Sequence, residues 1–80
     1  MRAWYRDPLG FHADLCLMLN GTSTRLTVRS PEGATIHRDY YPTWDDALAA
    51  LQYMLPRCVN ELTGDPIRAP YDYKTNKEEL

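Results

Sequence analysis

Ala13-Asp14-Leu15-Cys16-Leu17-Met18-Leu19-Asn20-Gly21-Thr22-Ser23-Thr24-Arg25-Leu26-Thr27-Val28 reads as two strands folded back on one another. Asn-Gly flanked by alternating apolar residues is a strong short-range hairpin signal, because both residues tolerate the positive φ of a tight turn. A two-residue loop there pairs Leu19 with Thr22, Leu17 with Thr24, Leu15 with Leu26 and Ala13 with Val28. Opposed residues in an antiparallel pair share a face, so the apolar side chains fall together.

Two further turns flank this hairpin. Asp7-Pro8-Leu9-Gly10 and Ser30-Pro31-Glu32-Gly33 each offer a turn opener, a proline with its φ already set, and a glycine where the chain needs positive φ. Three turns give four strands, at about 2–7, 11–19, 22–30 and 34–41, in up-and-down order. A three-residue loop after Asp7 pairs Tyr5 with Ala13 and Ala3 with Leu15. The same loop after Ser30 pairs Val28 with Ile36 and Leu26 with Arg38. One face then collects Ala3, Tyr5, Phe11, Ala13, Leu15, Leu17, Leu26, Val28, Ala34, Ile36 and Tyr40, with Arg38 the exception.

A helix follows to cover that face. Thr43 is a good N-cap with Asp46 three residues on, and Asp45 and Asp46 complement the positive end of the helix dipole. Apolar residues then recur at Trp44, Ala47, Leu48, Leu51, Met54, Leu55, Cys58 and Leu62. Pro56 predicts that the helix ends or kinks near Leu55, with a further helical turn running to Gly64. The expected fold is α+β: a four-stranded antiparallel meander with one main helix packed on one face, spanning residues 1–64. Residues 65–80, with Pro66, Pro70, Tyr71 and Tyr73, read as an extended tail; the two tyrosines either fold back over the core or serve as a docking segment.

Composition bounds the function. Eighty residues make one small domain, and a pI near 5.5 with a formal charge of −2 lacks the cationic excess of a non-specific nucleic-acid binder. The charge is uneven: residues 1–42 carry five arginines against four acids, and residues 43–80 four basic residues against seven acids. The longest apolar run, Leu15–Leu19, is too short to cross a bilayer, and no apolar stretch precedes Asp7, so no membrane partner and no secretory leader are expected and the location is expected to be cytoplasmic. Cys16 and Cys58 lack metal-ligand spacing and are expected to stay reduced. Gly-rich phosphate loops, a Gly-x-Ser-x-Gly elbow and a His-x-x-x-His pair are all missing from the sequence, which predicts no enzyme and no cofactor or metal. His12 and His37, roughly 10 Å apart by strand spacing on the same face, read as surface histidines.

The sheet face turned away from the helix is the remaining candidate. The register places Arg2, Trp4, Arg6, His12, Asp14, Cys16, Met18, Arg25, Thr27, Arg29, Thr35, His37, Asp39 and Tyr41 there, with Asp39 opposite Arg25. Such a face reads either as a solvated lattice of cross-strand ion pairs or as a binding surface. Trp4, Arg6, Met18, Arg25, Arg29 and Tyr41 are the candidate partner-binding residues, since aromatic residues, Met and Arg are enriched at interfaces.

Two resemblances bear on the partner. Leu26 to Leu51, with Ser30-Pro31-Glu32-Gly33, Tyr40-Tyr41-Pro42-Thr43 and Asp45-Asp46-Ala47-Leu48, resembles the strand-turn-strand-helix of the arm-type DNA-binding domains of phage integrases. That resemblance implies a sheet laid in the major groove. In size, single-domain design and lack of a catalytic motif the chain is similar to the small phage-encoded anti-CRISPR inhibitors, which implies a protein partner, a CRISPR effector, occluded so that target DNA cannot load. The expected function is therefore a non-enzymatic protein-binding inhibitor or accessory factor of phage or mobile-element origin. A DNA-binding module and a structural homodimer formed through an exposed edge strand are the alternatives, so the chain is expected to be a monomer or a homodimer.

Overall fold

The fold, seen in a computed structural model that describes residues 1–73, is built on the turns read above. At Asp7–Gly10 the Gly10 N–H donates to the Asp7 carbonyl at 3.0 Å, Gly10 adopts φ 95°, and Asp7 Oδ1 accepts from the N–H groups of Leu9 and Phe11. Ser30–Gly33 repeats the arrangement, with Gly33 at φ 94°. An added Cβ at either glycine would strain the backbone, which is why the same residue closes both turns. These hairpins join β1 (Arg2–Arg6) to β2 (His12–Leu17) and β3 (Thr24–Arg29) to β4 (Thr35–Tyr41).

The central hairpin keeps its expected pairing, Leu17 with Thr24, Leu15 with Leu26 and Ala13 with Val28. Its loop is wider than a two-residue turn. Met18 N–H donates to the Ser23 carbonyl and Gly21 N–H to the Met18 carbonyl, and only Gly21 has positive φ, so Asn20 stays out of the left-handed region. Asn20 instead accepts the Thr22 N–H through its side chain. Leu19, at the loop tip, is fully exposed.

Between β3 and β4 the expected register holds only for the first pair, Arg29 with Thr35. The register then shifts, and Val28 faces His37, Thr27 faces Arg38, Leu26 faces Asp39, Arg25 faces Tyr40 and Thr24 faces Tyr41. Ile36 is the extra residue of a β-bulge. The shift carries the β4 side chains beyond it to the opposite face from the expected one. Asp39 takes the place opposite Leu26 that the straight register gives Arg38 and is exposed there at the edge strand, while Arg38 reaches Thr27 Oγ1 at 3.4 Å on the open side. Consequently Ile36 and Tyr40 are more than half exposed; Ala34, ahead of the bulge, is exposed as well, and Phe11 and Leu17 are only half-buried and outside the core cluster, so these five leave the expected core.

The helix α1 (Trp44–Met54) begins and ends as read. Thr43 Oγ1 accepts the Asp46 N–H at 3.0 Å, and Leu55 closes the last turn through its N–H to the Leu51 carbonyl. It packs on β2, β3 and β4, burying Ala47, Ala50 and Leu51 with Leu15, Leu26 and Val28. Replacing Thr43 by Ala should cost about 1 kcal/mol through loss of the cap. Urea denaturation followed by circular dichroism reads this, and an unchanged midpoint would remove the cap from the account of helix stability.

After Pro56 the chain does not resume a helix. Asn60 Oδ1 accepts the N–H groups of Leu62 and Thr63, Gly64 turns at φ 77°, and Asn60 N–H donates to the Asp65 carbonyl. This side-chain-capped turn replaces the expected helical turn and leaves Leu62 exposed, outside the stripe assigned to it. It also presents β5 (Val59–Asn60), which pairs with β1, so the meander gains a fifth strand and the sheet order is β4-β3-β2-β1-β5.

Packing continues beyond Gly64. Ile67 is buried in the core and its N–H donates to the Cys58 carbonyl. Ala69 N–H donates to Gln52 Oε1, the Tyr71 hydroxyl donates to Asp46, and Tyr73 lies against Tyr53 and Tyr41. The segment thus runs back along α1, and Tyr71 and Tyr73 take the fold-back course rather than extending as a free docking segment. The remainder of the expected tail, residues 74–80, lies outside the described residues.

β4 is an outer edge of the sheet. Its Tyr40 N–H is taken by the carboxylate of Asp39, at 2.8 Å, and its first residues are displaced by the bulge.

Candidate interaction face

The strand pairings set the open face in three rows across the sheet. Arg6, His12, Arg29 and Thr35 form the first row, with Val59 added beyond Arg6 by β5. Trp4, Asp14, Thr27 and Arg38 form the second, and Arg2, Cys16, Arg25 and Tyr40 the third. Of the expected binding residues, Trp4, Arg6, Arg25 and Arg29 are therefore together on this face. Met18 lies just past β2, half-buried in the loop.

Tyr41 does not belong to the face. The bulge turns it to the helix side, where it packs against the core with its hydroxyl 3.3 Å from His37 Nε2. Burial, with the nearby Tyr73 as a smaller cause, pushes its phenol up to about 12. His37 and Asp39 move with it, so the two histidines lie on opposite sides of the sheet and the expected Asp39 to Arg25 pairing is replaced by Tyr40 with Arg25. Arg38 and Tyr40 are the face residues that the straight register missed. The signal was present in the sequence: Arg38 was the one charged residue in an otherwise apolar set.

The exchange of Asp39 for Arg38 changes the sign of the surface. Five arginines now share the face with Asp14, and Glu61 sits at the β5 rim with Oε2 3.7 Å from His12 Nδ1. Five cations less two acids leave +3 with histidine neutral, in a chain of formal charge −2, so the rest of the molecule carries −5.

The arginines are not equivalent. Arg2 donates to both oxygens of Asp14, at 3.0 and 2.7 Å, and its guanidinium lies over the Trp4 ring, 5.3 Å from the centroid. The hydrogen bond to Asp14 holds Arg2 above its ordinary pKa, and the pair fixes the guanidinium on the indole, which itself remains 39% exposed. Arg25 is half-buried between Cys16 and Tyr40 in its row, and its Nε is buried with no hydrogen-bond partner. Arg6, Arg29 and Arg38 have no ion-pair partner among the described residues. The face thus offers a preorganised aromatic-cation stack at one side, an exposed tyrosine at the other and four unneutralised guanidiniums between and around them.

Other chemistry is sparse among the described residues. No group of three His, Cys, Asp or Glu is placed to hold a metal ion, and no helix is long and apolar enough to cross a membrane. Cys16 on the open face and Cys58 in the core are free thiols on opposite sides of the sheet. Burial pushes the Cys58 thiol up to about 12, which keeps it protonated packing material rather than a nucleophile. No protein family, curated protein or solved structure matches the chain.

Proposed function

We propose that the protein is a non-enzymatic binding module that lays its open β-face on an acidic surface of a partner protein and acts by occluding that surface, as an inhibitor or accessory factor. The observation that carries this reading is the gathering of five arginines with Trp4 and Tyr40 on one face of an acidic chain. Arginine and aromatic side chains are the types that dominate interface energetics, and charge complementarity sets both the partner and the encounter rate. A partner's basic DNA-loading channel would repel this face, so the proposal places the contact on an acidic region instead.

Nucleic acid is the second reading, favoured by the replacement of Asp39 with Arg38. It is weaker on charge grounds. Arg2 is committed to Asp14 and Arg25 is half-buried, which leaves Arg6, Arg29 and Arg38 as the cations best placed for phosphates, and each phosphate neutralised contributes only about one unit to the salt slope. The −5 carried elsewhere opposes a polyanion that extends past the patch. A mobility-shift titration on duplex and single-stranded DNA at 150 mM salt, beside affinity capture from the native host, separates the two. The expected result is no DNA shift, together with a captured protein whose binding is lost when Arg29 is reversed to Glu. A DNA shift abolished by the same reversal would establish the nucleic-acid reading in its place.

A further inference from the structure

A concavity of about 190 Å³ opens at the corner where the first turn meets β5, lined by Arg6, Asp7, Pro8, Arg57 and Val59. Arg6 projects on the open face because it pairs with His12 and Val59 in adjacent strands. Val59 pairs with Arg6 and shares its side, while Arg57 reaches the same concavity from the turn that the Cys58 N–H closes on the Leu55 carbonyl. Two arginines from separate segments thus line one concavity together with the apolar side chains of Pro8 and Val59. Neither is ion-paired among the described residues.

The charge balance selects the ligand. Asp7 sits in the same concavity, where its Oδ1 holds the turn by accepting from Leu9 and Phe11. Two arginines less one carboxylate leave a single positive charge. A monoanion neutralises that charge, whereas a phosphate near its dianionic form would leave the corner net negative beside Asp7. Guanidinium groups match the two oxygens of a carboxylate, and Pro8 and Val59 provide an apolar wall for the carbon stem that carries it.

We infer that this corner is an anchor for a carboxylate on an apolar stem, a glutamate side chain presented by the acidic partner. The inference rests on the proposed protein-binding role of the open face and names the group that its rim receives. Arg57 is then a binding residue beyond the four strands of the meander.

The test uses the full chain and a small probe, so it does not depend on having the partner. Titration with 4-methylpentanoate, followed by NMR at the Val59 methyls and the Arg6 and Arg57 side-chain N–H signals, should give saturable shifts. The matching amide, 4-methylpentanamide, should give none, and inorganic phosphate should bind more weakly by about tenfold. Arg57→Gln should lower the carboxylate affinity about tenfold with Tm unchanged, since Arg57 is exposed. Absence of saturable shifts, equal response to the amide, or phosphate binding as tightly as the carboxylate would each overturn the inference. Trp4 and Arg29 lie outside the corner. Partner binding that is lost on replacing them, while the corner takes no carboxylate, would remove this inference and leave the role of the face standing.

Discussion

Shortening Leu15 to alanine is expected to cost about 2–5 kcal/mol, a large share of the stability of a domain this small. Leu15 is fully buried, paired with Ala3 on one side and Leu26 on the other, and beneath the helix. Its neighbours are held by three strands and α1, so the space cannot collapse without moving a whole element, and the loss belongs toward the upper part of that range. Met18→Ala, in the loop beyond β2 and only half-buried, should cost under about 1 kcal/mol. Urea denaturation of both variants by circular dichroism and tryptophan fluorescence makes the comparison. Equal losses would show that the sheet does not divide into a core face and an open face.

A Trp4→Ala, Arg29→Glu double variant is expected to lose the captured partner by roughly a thousandfold, taking about 2 kcal/mol or more for each anchor. Trp4 contributes apolar area already ordered by the Arg2 guanidinium, and Arg29 contributes an unneutralised charge in the row of Arg6 and His12. Both side chains point away from the helix-covered core, so a cooperative thermal transition near that of the wild type is expected alongside the loss. Arg25 is a poorer probe because it is half-buried and reversing it would bury a carboxylate beside Tyr40. A folded double variant that retains full affinity in isothermal titration would move the binding site off this face.

The turns carried most of the fold in readable form. Asp-Pro-x-Gly set the β1 to β2 pairing and the Asn20-Gly21 hairpin the β2 to β3 pairing, though with a wider loop than read, whereas Ser-Pro-x-Gly set only the first pair of β3 with β4. The helix was equally plain, since Thr43, Asp46 and Pro56 mark its ends through local backbone chemistry. The bulge at Ile36 was hidden because a bulge has no composition of its own. What distinguishes the observed register is that Tyr41 turns to the helix side and packs against the core while Ile36 is left exposed; a charged residue stands opposite Leu26 in either register, Arg38 in the straight one and Asp39 in the observed one. β5 escaped notice because two residues are too few for a periodic signal, and its place depends on the side-chain caps of Asn60. As for the site, the β1 to β3 half of the face was legible from the register, and the β4 column was inverted by the single extra residue.

The guarded edge of β4 bears on how such a molecule behaves among many copies of itself. A small sheet that exposes Ile36 and Tyr40 at its margin has the makings of a template on which other chains could stack into fibres. Here the bulge bends the start of that strand, Asp39 holds the Tyr40 N–H, and the flanking Arg38 adds a charge that an approaching strand would have to strip of water. The side chains that make the open face attractive to one acidic partner therefore sit beside a backbone that offers little to an indiscriminate one. Along β4, stickiness is confined to the face and withheld from the rim.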